Sequence, residues 1–150
     1  MVLVPLFFCI GFMIAILYID LMFDVPAVRY RRTNEPLPGE VMEMIASYYR
    51  NITRNPYLLM FVMLTATICI VAELVYDLAP AWVGYTSLVC MGIGMAAGVG
   101  RVIPAAQRLG AGKDPADLRT RLVHSMFPGH ILLLIAILTL ALVQASVTMK

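Results

Sequence analysis

Charge is scarce in this sequence. Asp, Glu, Lys and Arg make up 13% of its 150 residues and hydrophobic residues 61%, whereas an average soluble domain has about 25% charged and roughly 45–50% apolar residues. So little charge excludes an ordinary soluble domain of this length. The formal net charge of +2 is also too small to indicate a nucleic-acid partner.

Cysteine and histidine are scarce too. The three cysteines, Cys9, Cys69 and Cys90, show no C-x-x-C spacing, so the sequence contains neither a zinc-finger nor a thioredoxin-like motif. All three lie in apolar segments, where we expect buried thiols. With two histidines in the whole chain, no motif identifies a metal site or a cofactor.

The chain has instead four long apolar segments, at about residues 2–23, 57–76, 82–103 and 131–149. Each approaches the roughly 20 residues that a helix needs to cross a bilayer core. Helices are expected because backbone polar groups in lipid must be satisfied within their own segment. We predict a single all-α transmembrane domain, an integral membrane four-helix bundle made of two helical hairpins.

The start of the first segment indicates whether the segment is a cleaved signal peptide or a membrane helix. It has no positively charged start and no clear cleavage site. Secretory signal peptides have both features. We therefore expect a retained membrane helix.

The basic residues are distributed asymmetrically around these segments. Of eleven Lys and Arg residues, five lie between the first two segments and five lie between the last two or at their edge. The connection between the second and third segments has none. The positive-inside rule predicts both long connections on the cytoplasmic side, or its organellar equivalent, and both termini opposite. We expect a bacterial inner membrane or an organellar membrane.

The long connections contain helical patterns of their own. In GEVMEMIASYYRNITRN the apolar positions recur at helical spacing: Val41, Met44, Ile45 and Tyr48. This pattern predicts a short amphipathic helix at the membrane interface before the second span. In the second long connection, Asp114 and Pro115 predict the start of another short helix. Pro128-Gly129 then predicts a break before the fourth span.

Two acids and two histidines are predicted at the same membrane depth. Asp20 and Asp24 lie one turn apart at the cytoplasmic end of the first span, and His124 and His130 lie at the entry to the fourth. Such a set could hold a metal ion or handle protons, although such residues also gather at membrane edges, where there is water. Asp20 lies deepest, and intramembrane acids are candidate functional residues by default. The candidate catalytic residues are therefore Asp20, His124 and His130, with no metal assigned.

Asp24 has a simpler alternative, because three arginines follow it closely. A carboxylate at a helix C-terminus opposes the helix dipole and needs a partner, and the candidates for an ion pair are Arg29, Arg31 and Arg32. Glu73 and Asp77 repeat the four-residue spacing at the end of the second span. That end lies on the opposite side of the membrane, so the two acid pairs cannot form one site.

The third span is rich in small residues, with Gly92, Gly94, Gly98 and Gly100 in the run GIGMAAGVG. Small residues allow two helices to approach closely in lipid, so we predict a helix-packing face. The alternative is a slot for a flat ligand such as a pigment, a quinone or a lipid.

Several short segments occur in an order found in a known family. They are GFMIAILYIDLMFDVPAVR, ASYYRNITRN, AAQRL and LRTRLVHSMF, and the positions that carry the similarity are Gly11, Pro26, Arg50, Pro104 and His124. In this order the chain resembles, over nearly its whole length, the anthrone-oxygenase-like family of small four-helix membrane proteins. Members tend to have an arginine soon after the histidine before the last helix, and HSMFPGH has none. The resemblance implies a cofactor-poor oxygenase fold and makes His124 the position to test.

Three functions remain open at this point. The first is a non-catalytic accessory or structural subunit that contacts membrane lipid and packs against other membrane proteins or copies of itself. We favour it because no catalytic set is recognisable. The second is an oxygenase-like membrane enzyme acting on a hydrophobic substrate, and the third is a transporter or proton path. Asp20 and Glu73 lie at opposite ends of an apolar stretch, so one chain makes a poor conduit.

Overall fold

The computed structural model describes residues 2–30 and 37–148, and the regular structure in these two stretches is helical. This confirms the all-α prediction for the described residues. In chain order the elements are α1 (Leu3–Arg29), α2 (Gly39–Arg54), α3 (Tyr57–Val75), α4 (Ala81–Ala97), a π-helix (Gly98–Val102), α5 (Ile103–Ala111) and α6 (Ala116–Thr148).

Four helical segments are long and apolar enough to cross a membrane, which confirms that prediction: Leu3–Val28, Tyr57–Val75, Ala81–Ala111 and Ala116–Thr148. The 19 residues of α3 extend about 28 Å, close to the ~30 Å thickness of a bilayer core. The 33 residues of α6 extend about 50 Å. The third and fourth segments are therefore longer than a bilayer core requires.

The long helices pack side by side around an apolar core. α1 contacts α3 and α6, and α4 contacts the same two helices. Buried side chains between them include Leu6, Ile10, Ile70 and Leu140. The outer faces carry large apolar side chains, and Phe8 and Leu142 are each 72% exposed. An extended apolar surface of this kind suits contact with lipid.

The last two segments are longer and less interrupted than the sequence predicts. The third continues from α4 through the π-helix into α5 and reaches Ala111. The fourth begins at Ala116, which confirms the predicted helix start at Asp114 and Pro115. It passes through Pro128 as one helix, so the predicted break is wrong and the short helix is not separate. Next to Pro128, a Cβ on Gly129 would lie 2.7 Å from Cγ2 of Val102 in the π-helix. This close packing supports the helix where the sequence predicts a break.

The extensions form a second packed unit, named here the head: α2, α5 and residues 116–126 of α6. Its core includes Ile45, Tyr49, Leu109, Val123 and Met126. α2 and α5 lie so close that a Cβ on Gly110 would be 3.0 Å from both Cα and N of Arg50. The Arg50 Nε–H also donates to the Gly110 carbonyl at 3.0 Å. The head therefore joins parts of the first and second long connections.

The buried face of α2 differs from the predicted face. The buried residues are Met42, Ile45, Ala46 and Tyr49, while Met44 is 43% exposed. The prediction assumed contact with lipid alone, whereas α2 packs against α5. Contact with another helix favours the face that contains the small side chain of Ala46, because small residues permit close approach. The position of α2 at the membrane interface stays a prediction.

Candidate functional site

The polar residues at the head end of the four long helices come from three helices. Asp20 and Asp24 lie one turn apart on α1, and their exposed fractions are 8% and 0%. His130 of α6 is 1% exposed and Tyr49 of α2 is 2% exposed. Tyr48, also on α2, is partly buried. These five residues are named here the acid–histidine–tyrosine cluster.

Asp24 is the centre of this cluster. Its Oδ2 lies 2.6 Å from His130 Nδ1, and its Oδ1 accepts a hydrogen bond from the Tyr49 hydroxyl at 2.9 Å. Both carboxylate oxygens therefore have a partner. A buried charge needs such pairing, because removing a lone carboxylate from water is costly.

Asp20 has a similar arrangement nearer the middle of the bundle. The Tyr48 hydroxyl donates to Asp20 Oδ1 at 2.7 Å, and Oδ2 lies 3.8 Å from His130 Nε2. One imidazole therefore has a carboxylate on each side, at 2.6 Å through Nδ1 and at 3.8 Å through Nε2. The Asp24 contact fixes the ring, and the longer contact leaves Nε2 the less constrained nitrogen.

Aromatic rings enclose these polar groups. Phe23 stacks on Tyr48 with ring centroids 3.9 Å apart. The rings of Tyr49 and His130 are nearly parallel, 8° apart, with centroids 6.3 Å apart. Apolar rings therefore lie beside the hydrogen-bonded carboxylates, and hydrogen bonds in such surroundings are electrostatically stronger than in water.

The two tyrosines are held in their neutral form. Both lie on α2, outside the four candidate spans. Burial raises the pKa of both phenols far above the ordinary value of about 10. The next largest cause is the nearby carboxylate, which is Asp20 for Tyr48 and Asp24 for Tyr49. Both hydroxyls therefore remain hydrogen-bond donors at physiological pH.

A cavity of about 90 Å³ begins at Asp20 and His130, and among the described residues these two are the polar side chains in its lining. The rest of the lining is apolar and includes Met13, Met63, Met91, Leu133 and Ile137. Two residues of the third span that line it, Met95 and Val99, are 42% and 62% exposed. The cavity therefore lies close to the lipid-facing surface.

Other predicted site residues lie elsewhere. The His124 Nε2 is 3.2 Å from the Ala27 carbonyl oxygen, and His124 neither joins the cluster nor lines the cavity. Arg31 and Arg32 lie outside the described residues, as does the side chain of Arg29, so the predicted ion pairs with Asp24 fall there too. The described partners of Asp24 are Tyr49 and His130.

The structure divides the four glycines of the third span between two faces. Gly94 and Gly98 are buried and line the cavity, where a Cβ on each would meet Leu133 Cδ2 at 3.8 and 4.0 Å. Gly92 and Gly100 are exposed, and a Cβ on either would meet nothing within 4 Å. The inner pair serves both helix packing and the cavity, and the outer pair faces away from the bundle.

Sequence reasoning missed Tyr48 and Tyr49 as site residues. Tyr48 is predicted only as part of the apolar face of α2, and Tyr49 only as part of a segment that carries the family resemblance. The sequence did contain a signal for them, because two acids at the end of an apolar helix require hydrogen-bond donors. The adjacent phenols in the next helix are neutral donors that an apolar environment tolerates.

The comparisons with known proteins add no assignment. No family model, curated protein or solved structure matches this chain. Among the described residues, no group of three or more His, Cys, Asp or Glu side chains is placed to hold a metal ion. The chemistry of the site is therefore argued from its own geometry.

Proposed function

We propose that this membrane protein is an enzyme that binds a small hydrophobic molecule in the cavity and transfers a proton to or from it. The observation that carries the proposal is the placement of Asp20 and His130 at one end of an otherwise apolar cavity. A concave apolar site with a few convergent polar groups is the usual form of a small-molecule site.

His130 is the proposed acid–base residue. The 2.6 Å contact between Nδ1 and Asp24 Oδ2 engages Nδ1, and Nε2 is the ring nitrogen left to exchange a proton with a molecule in the cavity. A base held by a third group is a recurring catalytic arrangement. Asp24 and Tyr49 act as positioning residues, because they hold the ring without reaching the cavity lining. Asp20, with the Tyr48 hydroxyl on one oxygen, is placed to orient a polar group of the substrate.

The substrate class follows from the lining. A cavity with an apolar wall and one polar end suits a hydrophobic weak acid whose acidic C–H or O–H points toward Nε2. The resemblance to the anthrone-oxygenase-like family agrees with a hydrophobic carbon acid as substrate. It draws attention to His124, however, whereas the geometry favours His130, since the ring of His124 is engaged with the Ala27 carbonyl.

Isotope exchange tests this proposal without knowledge of the complete reaction. The purified protein in lipid nanodiscs is incubated in D₂O with a panel of small hydrophobic carbon acids, of a size that suits a cavity of about 90 Å³. Deuterium incorporation is followed by mass spectrometry. We expect the wild type to accelerate exchange for at least one compound, and His130→Gln to lose the acceleration.

The matched control is His124→Gln, which changes the other histidine outside the cavity and should keep the wild-type rate. Asp20→Asn should weaken binding and slow exchange, because it replaces the carboxyl group that orients the substrate. Equal rates for wild type and His130→Gln, with the compound bound, would refute the assignment of the base.

A second candidate function, an accessory subunit, rests on a different surface. Gly92, Ala96 and Gly100 are spaced four residues apart along the third span, and all three are exposed. Such spacing suits close packing against another membrane helix. Native mass spectrometry after mild solubilisation tests it, with Gly92→Leu expected to dissociate a complex. A stable lone wild-type monomer would argue against this role.

The proposed orientation follows from the basic residues. Arg50 and Arg108 lie in the head and Lys113 lies in the connection between α5 and α6, and the positive-inside rule places such regions in the cytoplasm or its organellar equivalent. Both termini are then on the other side. We propose a bacterial inner membrane or an organellar membrane on the same grounds.

A further inference from the structure

A second polar cluster lies at the other end of the four long helices. It consists of Glu73 on α3, Ser87 on α4 and Gln144 on α6, whose exposed fractions are 1%, 0% and 0%. The Gln144 Nε2 donates to Glu73 Oε2 at 2.7 Å and to Ser87 Oγ at 3.1 Å. Gln144 lies fourteen positions after His130 on α6, a rise of about 21 Å. This cluster is therefore separate from the proposed proton-transfer site.

The hydrogen bonds of this cluster leave acceptors unmatched. Both N–H groups of the Gln144 amide are used by the two contacts above. Glu73 Oε1 and Gln144 Oε1 are buried and have no hydrogen-bond partner among the described residues. The Ser87 hydroxyl hydrogen is the remaining donor of the three side chains. Two buried acceptor oxygens thus face at most one donor.

The charge is unmatched as well. In the described part of the chain no Lys, Arg or His forms an ion pair with Glu73. The titratable neighbours are Cys69, one turn earlier on α3, and beyond it Cys9 of α1, and neither is a cation. α4 and α6 contribute Ser87 and Gln144, which do not titrate. A lone carboxylate in apolar surroundings is costly, so a positive charge is required there.

We propose that Glu73, Ser87 and Gln144 form a binding site for one monovalent cation, either a proton or Na⁺. Carboxylate, amide and hydroxyl oxygens are hard ligands that suit hard cations. One positive charge neutralises the single carboxylate, whereas a divalent ion would leave a buried positive charge uncompensated. A proton would reside on Glu73 Oε1, and Na⁺ would be bound by Glu73 Oε1 and Gln144 Oε1.

Labelling with dicyclohexylcarbodiimide tests the site, because this apolar reagent modifies protonated carboxyl groups in membranes. The protein in nanodiscs is labelled over a pH series in NaCl or choline chloride, and peptide mass spectrometry quantifies the product at Glu73. We expect labelling to fall as the pH rises. If Na⁺ is the ligand, NaCl at ten times its dissociation constant should slow labelling about tenfold relative to choline. If a proton is the ligand, the two salts should give equal rates.

Two outcomes would overturn the proposal. One is a labelling rate at Glu73 that changes with neither pH nor salt, and the other is no labelling of Glu73 at any pH. Thermal stability gives a second readout through Glu73→Gln, an uncharged side chain of nearly the same shape. This variant should fold. Its Tm should no longer show the dependence on pH or on Na⁺ that Glu73 causes in the wild type. Asp77→Asn, an exposed acid four residues later, should behave as wild type.

Discussion

Replacing Tyr49 with Phe tests whether the acid–histidine–tyrosine cluster stabilises the fold. The ring remains, so packing of α2 against α5 should be kept. The lost hydroxyl leaves Asp24 Oδ1 without its donor at 2.9 Å, in a residue that is 0% exposed. Leaving a buried acceptor unsatisfied costs about 1–3 kcal/mol. We take ~2 kcal/mol as the expected loss in the free energy of unfolding, because the acceptor is a carboxylate.

The chain carries its own reporter for this measurement. Cys9, Cys69 and Cys90 are free and buried between the long helices, so a thiol-reactive fluorophore labels them when the bundle opens on heating. A loss of ~2 kcal/mol should lower Tm by about 4–8 °C, since each kcal/mol shifts Tm by roughly 2–4 °C in a chain of this size.

The control for Tyr49→Phe is the adjacent substitution Tyr48→Phe. The Tyr48 hydroxyl bonds Asp20 at 2.7 Å, but Asp20 is 8% exposed and borders the cavity. We expect a smaller effect, because solvent can replace a lost donor more readily there. An unchanged Tm in Tyr49→Phe, or a larger fall in Tyr48→Phe than in Tyr49→Phe, would refute the placement of Asp24 at the centre of the cluster.

Three further predictions concern the head and the orientation of the chain. Gly110→Ala should reduce the free energy of unfolding by about 1–2 kcal/mol and so lower Tm, because the new Cβ overpacks against α2. Gly100→Ala should not lower Tm, because a Cβ at Gly100 meets nothing within 4 Å. Above about pH 10 the tyrosines of the unfolded chain ionise, whereas Tyr48 and Tyr49 stay protonated in the folded protein because their pKa values are raised. Stability should therefore fall with rising pH, and it should fall less steeply when both residues are replaced by Phe. In a cysteine-free background, Lys113→Cys and Leu78→Cys should react with an impermeant thiol reagent from opposite sides of the membrane; reaction from the same side would contradict the positive-inside assignment.

The sequence predicts the four apolar helices because length and composition are properties of each segment alone. It also predicts that Asp20, Asp24 and His130 lie at a similar depth, since depth follows from position along a spanning helix. The choice between His124 and His130 depends on helix rotation. Six residues at ~100° each turn the side chain by about 240°, so the packing of α6 against α1 decides which ring points inward.

The sequence does not predict the contacts that build the head, or the bond between Glu73 and Gln144 at the other end of the long helices, for a related reason. The close approach of α2 and α5 joins Arg50 to Gly110, 60 residues apart in sequence. The bond between Glu73 and Gln144 joins residues 71 apart. Nothing local in either segment indicates its partner. The predicted interfacial face of α2 was off by one position because the partner that buries it comes from the other long connection.

The placement of His130 on the last helix has a consequence for biosynthesis. Asp20 and Asp24 enter the membrane with the first helix, yet their imidazole partner is synthesised 106 residues after Asp24. Until α6 inserts, the two carboxylates have no histidine and must remain near water or be held by an insertion factor. Chains that stop before His130 should therefore be recognised and degraded, whereas chains that include all of α6 can complete the pair.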